Sequence, residues 1–149
     1  MRARKRTPQQ VGLVYGFRSG LEEQVANQLT ELGVPFEYES VKLSYIKPSR
    51  SAVYTPDFIL PNAIIVETKG RFLVEDRMKH LILKDQHPKL DIRFVFSNSK
   101  TKISKNSKTS YADWCTKHGF TYADKRIPKE WLDEPPCPQR LAALRGAIK

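Results

Sequence analysis

Tyr54-Thr55-Pro56-Asp57-Phe58-Ile59-Leu60-Pro61-Asn62-Ala63-Ile64-Ile65-Val66-Glu67-Thr68-Lys69-Gly70 is the stretch that decides the fold. Two β-rich runs, Val53 to Leu60 and Ala63 to Lys69, flank the turn dipeptide Pro61-Asn62, and this pattern predicts a hairpin. Its strands are apolar enough to be covered on both faces. Three charges interrupt them: Asp57, Glu67 and Lys69. Strand residues two apart project together, so Glu67 and Lys69 share a face. A two-residue turn at Pro61-Asn62 would pair Asp57 with Val66 and send Glu67 to the other face. A three-residue loop through Ala63, or a bulge, sets Asp57 opposite Glu67, with Cβ atoms about 4.5–5.5 Å apart. We expect the second register, because two carboxylates at that separation can share a divalent cation. Acids buried in such strands need a metal or another cation. The alternative is a surface hairpin with an ordinary Asp57–Lys69 or Glu67–Lys69 pair.

On the N-terminal side, Ser19 opens a helix and Glu22 completes an S-x-x-E capping box. Leu21, Val25, Leu29 and Leu32 repeat with helical period, and Gly33 is a natural stop. At about 100° per residue, Glu22 flanks this stripe and Glu23 lies opposite it. Glu22 can therefore reach the sheet, whereas Glu23 faces water. Glu22 reads equally well as a cap or as a third site carboxylate. Phe36 to Ile46 is rich in Tyr, Val and Phe and predicts a strand. Lys47-Pro48-Ser49-Arg50-Ser51 then reads as a loop or linker.

On the C-terminal side, a charged helix runs from Phe72 to Gln86, with His87 at its end and Pro88 beyond. Asp91 to Ser97 is a buried-type strand, and Lys100 to Lys108 a polar loop. Ser110 opens a short helix whose Tyr111, Trp114, Cys115 and His118 share a face, and Gly119 ends it. Phe120 to Ala123 is a last strand. The order predicts a mixed α/β domain with a central sheet flanked by helices. Trp114 and Cys115 read as core, and His80 and His118 as structural. Trp131 is open between packing and base stacking.

The 149 residues fit one domain. Residues 1–16 read as a basic flexible arm, 17–132 as the domain and 133–149 as a basic C-terminal tail. Lys and Arg number 26 against 16 Asp and Glu, a net charge of +10 that points to a polyanion, usually nucleic acid. Phosphate contacts are expected from Arg2, Arg4, Lys5 and Arg6 in the arm and from Lys100, Lys102 and Lys105 in the loop. The longest apolar run, Ala63-Ile64-Ile65-Val66, falls far short of the ~18 residues a membrane span needs. The glycine-broken stretch from Val11 to Phe17 is no signal peptide. Two cysteines, Cys115 and Cys137, form no framework and fit a reducing, cytoplasmic compartment.

Carboxylates with one lysine on a basic protein suit metal-dependent phosphodiester hydrolysis. Mg²⁺ prefers oxygen ligands and binds through one or two carboxylates plus substrate phosphate. Asp57, Glu67 and the Thr68 carbonyl would hold one ion, and Asp57 with Glu22 a second. Lys69 would orient or deprotonate the attacking water and offset negative charge on the phosphorus. No phosphate-cradling glycine loop or nucleophile motif appears, which argues against a small-molecule enzyme or cofactor. A non-enzymatic nucleic-acid-binding protein remains as an alternative.

Asp57…Glu67-Thr68-Lys69 resembles the PD-(D/E)xK nuclease superfamily. Phe17-Arg18-Ser19-Gly20-Leu21-Glu22, Tyr54-Thr55-Pro56-Asp57-Phe58, Val66-Glu67-Thr68-Lys69-Gly70 and His87-Pro88-Lys89-Leu90-Asp91-Ile92-Arg93 narrow the resemblance to the phage T7 endonuclease I family of Holliday-junction resolvases. The likeness runs from about Phe17 to Trp131. It implies a restriction-endonuclease-like fold and Mg²⁺- or Mn²⁺-dependent cutting of four-way and other branched DNA. It implies that Glu22, Asp57, Glu67 and Lys69 carry catalysis, which tips Glu22 toward ligand. It further implies an intertwined homodimer bridged by the segment around Ile46 to Ser51, acting in a phage's host cell. Ala63 departs from the family, whose hairpin turn has glycine there, and the two chain ends differ as well. A relative that cuts ordinary duplex DNA would retain the same acids.

Overall fold

A computed structural model describes residues 20–47 and 50–148. Among them the elements run α1 (Gly20–Glu31), β1 (Glu37–Tyr38), β2 (Leu43–Lys47), β3 (Arg50–Tyr54), β4 (Phe58–Ile59) and β5 (Ile65–Lys69). There follow α2 (Val74–Gln86), β6 (Ile92–Phe96), α3 (Tyr111–His118), β7 (Thr121–Asp124), α4 (Lys129–Asp133) and α5 (Pro138–Ala147). Five strands form a mixed sheet in the order β1-β4-β5-β6-β7. The β1–β4 and β4–β5 pairs are antiparallel, and β5–β6 and β6–β7 are parallel. β2 and β3 form a separate antiparallel ribbon. The molecule is a mixed α/β domain, as the order of patterns predicts.

Both faces of the sheet are covered, and alternate strand residues divide between two cores. Ile65, Phe94 and Phe96 pack with Phe72, Leu83 and Trp114. Val66 and Val95 pack on the other side with Leu21, Val25 and Leu29 of α1. Every residue of β6 is buried, which is why that strand reads as apolar apart from Arg93. Burying each large side chain stabilises by roughly 1.5–3 kcal/mol, a surplus that lets the same sheet carry buried carboxylates.

Several expectations are corrected. The run from Phe36 to Ile46 is two strands in two sheets, because the chain turns at Glu39, which adopts φ 48°. The run from Val53 to Leu60 is likewise divided between β3 and β4. The expected loop at Lys47 to Ser51 shrinks to residues 48–49, since Lys47 pairs with Arg50 and Ile46 with Ser51. Leu32, assigned to the apolar stripe of α1, is exposed at the helix end. Glu23, expected in water, is buried. α1 is covered over a wider arc than its aliphatic residues mark, from Gln28 through Glu22 to Glu23.

The helix stops hold. Gly33 and Gly119 take left-handed φ of 66° and 76°, where a side chain would be strained. Ser110 caps α3 by accepting the Asp113 N–H, and α2 gives way at His87. Trp114 and Cys115 are buried as expected. Trp131 resolves to packing, with the Arg93 guanidinium over its ring. Residues read as a basic tail carry α5, whose Leu144 and Ala147 join the core. Arg93 binds Asp91 at 2.9 and 2.8 Å and Glu134 at 2.5 and 3.1 Å, fixing the chain after α4 to the foot of β6. No helix among the described residues is long and apolar enough to cross a membrane.

Candidate active site

The hairpin turn sets the register on which the site depends. Leu60 N–H bonds the Ile64 carbonyl at 2.9 Å, and Ala63 N–H bonds the Leu60 carbonyl at 2.9 Å. The loop is therefore three residues, Pro61-Asn62-Ala63, with Ala63 at φ 69° where glycine is usual. Phe58 lies opposite Val66 and Ile59 opposite Ile65. Continued by one residue, that register sets Asp57 opposite Glu67. The Asp57 N–H reaches Glu67 Oε2 at 3.3 Å.

Both acids are buried, Asp57 to 7 % and Glu67 to 4 % exposure. Asp57 Oδ2 accepts the Thr68 N–H at 2.9 Å and the Thr68 hydroxyl at 2.7 Å. Glu67 Oε2 accepts the Tyr54 hydroxyl at 2.5 Å. Lys69 Nζ lies 3.6 Å from Glu67 Oε1 and 3.4 Å from Asp76 Oδ1. Glu67 and Lys69 thus share a face, as their spacing requires. Lys69 ends β5 beside β6, so the site opens at the carboxyl ends of parallel strands, where ligands of open α/β sheets bind.

Glu22 on α1 is buried, and the Tyr38 hydroxyl donates to its Oε2. Carboxylate oxygens of Glu22, Glu39 and Asp57 lie within 4.8 Å of one another. The expected Ser19 cap for Glu22 falls outside the described residues, as do Arg2, Arg4, Lys5 and Arg6. Lys100, Lys102 and Lys105 are exposed in a loop that leaves the carboxyl end of β6. Asp124 anchors that loop by accepting the Ser99 N–H at 2.7 Å and its hydroxyl at 2.8 Å. Lys102 Nζ is turned inward onto the Lys108 carbonyl at 3.0 Å.

Electrostatics mark Glu67. Burial, then the Asp57 carboxylate, push its carboxyl up to about 8, although Lys69 and the Tyr54 hydroxyl pull the other way. Burial works against the Lys69 charge, yet Glu67, Asp76 and Asp57 outweigh it and hold the ammonium protonated. The protein's own cations therefore do not offset the repulsion between Asp57 and Glu67. An all-oxygen, largely buried donor set of this kind matches a hard divalent cation.

Four residues escape sequence reasoning. Glu39 joins the cluster because the kink at its own φ breaks strand alternation, and its N–H bonds the Asp57 carbonyl at 3.4 Å. Tyr38 and Tyr54 hold Glu22 and Glu67 through long-range packing, for which no local signal exists. Lys79 of α2 stands nearby with its Nζ 5.5 Å from the Tyr54 ring centroid.

Residues 3–147 match the sequence pattern described as phage endonuclease I. The chain belongs to the phage endonuclease I family. It is 56 % identical over 122 residues to Endonuclease I of Escherichia phage T7, covering 82 % of each chain. It is 52 % identical over 119 residues to Endodeoxyribonuclease 1 of Enterobacteria phage T3, covering 80 % of this chain and 78 % of the relative. The family match takes in every element described above.

Proposed function

We propose that this endonuclease I family member is a metal-dependent DNA endonuclease that resolves four-way (Holliday) junctions and other branched DNA. The observation that carries the reading is Asp57 facing Glu67 in the same buried site, with Lys69 projecting beside Glu67. The names of the phage T7 and T3 relatives, both endonucleases, support it. Catalysis is assigned to Glu22, Asp57, Glu67 and Lys69, on a PD-(D/E)xK site in a restriction-endonuclease-like fold.

Asp57 and Glu67, with the Thr68 carbonyl, would hold one Mg²⁺ or Mn²⁺, and Asp57 with Glu22 a second; Glu39 is placed to join the latter. A bound ion supplies an activated water at neutral pH and charge stabilisation at the phosphate. Lys69 does the rest from its fixed position between Glu67 and Asp76: it orients the attacking water and balances the charge that grows on the phosphate oxygens. His80 is no competing base, since it is wholly buried.

Two cuts placed symmetrically across a junction need two sites, which a C2 homodimer provides. Exposed Ile46 and Val53 on the β2–β3 ribbon support pairing through this region. The Ile46 to Ser51 segment is the proposed bridge of an intertwined dimer. The arm lysine and arginines, with Lys100, Lys102 and Lys105, are proposed to grip phosphates. Because the relatives are phage proteins, the proposed place of action is the host cytoplasm.

The test is incubation with Mg²⁺ and a synthetic four-way junction beside linear duplex built from the same arms. Paired nicks confined to the junction are expected. Equal cutting of both would leave a nuclease without junction selectivity, and tight binding without cutting in Mg²⁺ or Mn²⁺ would overturn the catalytic reading.

A further inference from the structure

Lys69 has two carboxylate partners, Glu67 and Asp76, and its charge is largely committed to them. Lys79 differs. It lies one helical turn after Asp76 on the same face of α2. Its ammonium sits 5.5 Å from the ring centroid of Tyr54, whose hydroxyl binds Glu67. Among the described residues it makes no hydrogen bond and no ion pair. Burial lowers its pKa, with Lys69 adding to the effect and Glu67, Asp76 and Asp57 opposing it, so the protein incompletely replaces the water this cation gives up.

The surroundings say what it could bind. Lys79 lines an open groove of about 440 Å³ with Tyr45, Lys47, Asp76, Met78 and Glu75. Asp76, the partner of Lys69, lines the same groove. Asp76 is already engaged by Lys69, and Glu67, Asp76 and Asp57 attract the Lys79 charge only through space. A half-buried ammonium held over an aromatic ring, with no carboxylate in direct contact, can take an anion from solution. Lys79 stands at the ring of Tyr54, whose hydroxyl is on Glu67, so an anion on its ammonium lies beside the carboxylate site.

We propose that Lys79 binds a backbone phosphate next to the scissile one, on the strand running from the active site along the α2 groove. This rests on the nuclease reading of the site and adds a substrate contact to it. As a phosphate contact, Lys79 positions the strand and reads no base.

The experiment is binding of a four-way junction and of linear duplex in EDTA, as a function of salt, by the parent, Lys79→Gln and Lys79→Arg. The expected result for Lys79→Gln is affinity roughly tenfold weaker for both DNAs, the size of one charge-assisted hydrogen bond. The slope of log K against log salt should fall by about 0.9, as for one lost phosphate contact. Lys79→Arg should restore both. An unchanged slope in Lys79→Gln overturns the proposal, as does an arginine variant as weak as the glutamine one. If the parent binds neither DNA, the nuclease reading falls and takes this inference with it.

Discussion

The Tyr54 hydroxyl, on the β2–β3 ribbon, donates a 2.5 Å hydrogen bond to Oε2 of Glu67, on the central sheet. One buried contact therefore couples the orientation of a proposed metal ligand to the docking of a two-stranded ribbon. Tyr54→Phe keeps the ring and its packing against His80 while removing the donor. Partners of metal ligands typically set affinity by a factor of roughly 10–100. The Mg²⁺ concentration for half-maximal cleavage should rise by that factor, as read from a metal titration of the cleavage rate.

His80 supplies a pH dependence of stability. The ring is fully buried among Tyr54, Phe94 and Phe120, and neither nitrogen has a partner. Burial holds its pKa well below the ordinary 6.5, with Lys79 and Lys69 adding to the shift. The unfolded chain takes up a proton near its ordinary value while the folded ring stays neutral. Stability is thus present above that value and lost as pH falls below it, at about 1.4 kcal/mol per pH unit. Urea melts of the parent and His80→Phe at pH 7.5 and 5 should show the larger loss in the parent.

Backbone strain separates two positions. Lys125 adopts φ 68° and is exposed, whereas Ala63 adopts φ 69° and is buried. A left-handed residue costs about 1–2 kcal/mol, and glycine gives back about 0.5–1 through entropy. Lys125→Gly should raise stability by roughly 0.5–1 kcal/mol. Ala63→Gly also loses a buried methyl worth about 0.8 kcal/mol and should be close to neutral. Thermal melts of the two variants check the difference.

The loop lysines should not be equal. Lys100, Lys102 and Lys105 are all exposed, and Lys102 also donates its ammonium to the Lys108 carbonyl. Lys100→Gln and Lys105→Gln should each lower the salt dependence of DNA binding by about 0.9 if each meets a phosphate. Lys102→Gln should lower it by less and also lower the loop's resistance to proteolysis. Binding measured across a salt series, with a limited digest alongside, distinguishes the roles.

The hairpin acids were legible because two apolar strands interrupted by charge leave few registers, and the three-residue loop predicted from the chemistry is the one observed. The glycine stops and the capped α3 were legible because their signals are local. What stayed hidden depends on distant packing. The chain turns at Glu39 to bring Glu39 beside Asp57, although Glu37-Tyr38-Glu39 reads as plain strand. Glu23 was sent to water by a stripe drawn from aliphatic residues alone, yet α1 is buried past that edge. Tyr54 and Tyr38 reach Glu67 and Glu22 across 13 and 16 residues of sequence, and Lys79 stands on α2, with no local pattern linking any of them to the site.

The central claim is that the carboxylates around Asp57 carry out cleavage rather than merely support a DNA-binding surface. It is tested most directly by comparing parent and Asp57→Asn on one four-way junction in Mg²⁺, with the single-turnover cleavage rate as the readout at saturating protein. The substitution keeps an acceptor for the Thr68 hydroxyl while removing the charge. The account predicts a junction that is still bound and a cleavage rate lower by orders of magnitude. A variant that cuts the bound junction at the parent's rate would contradict it.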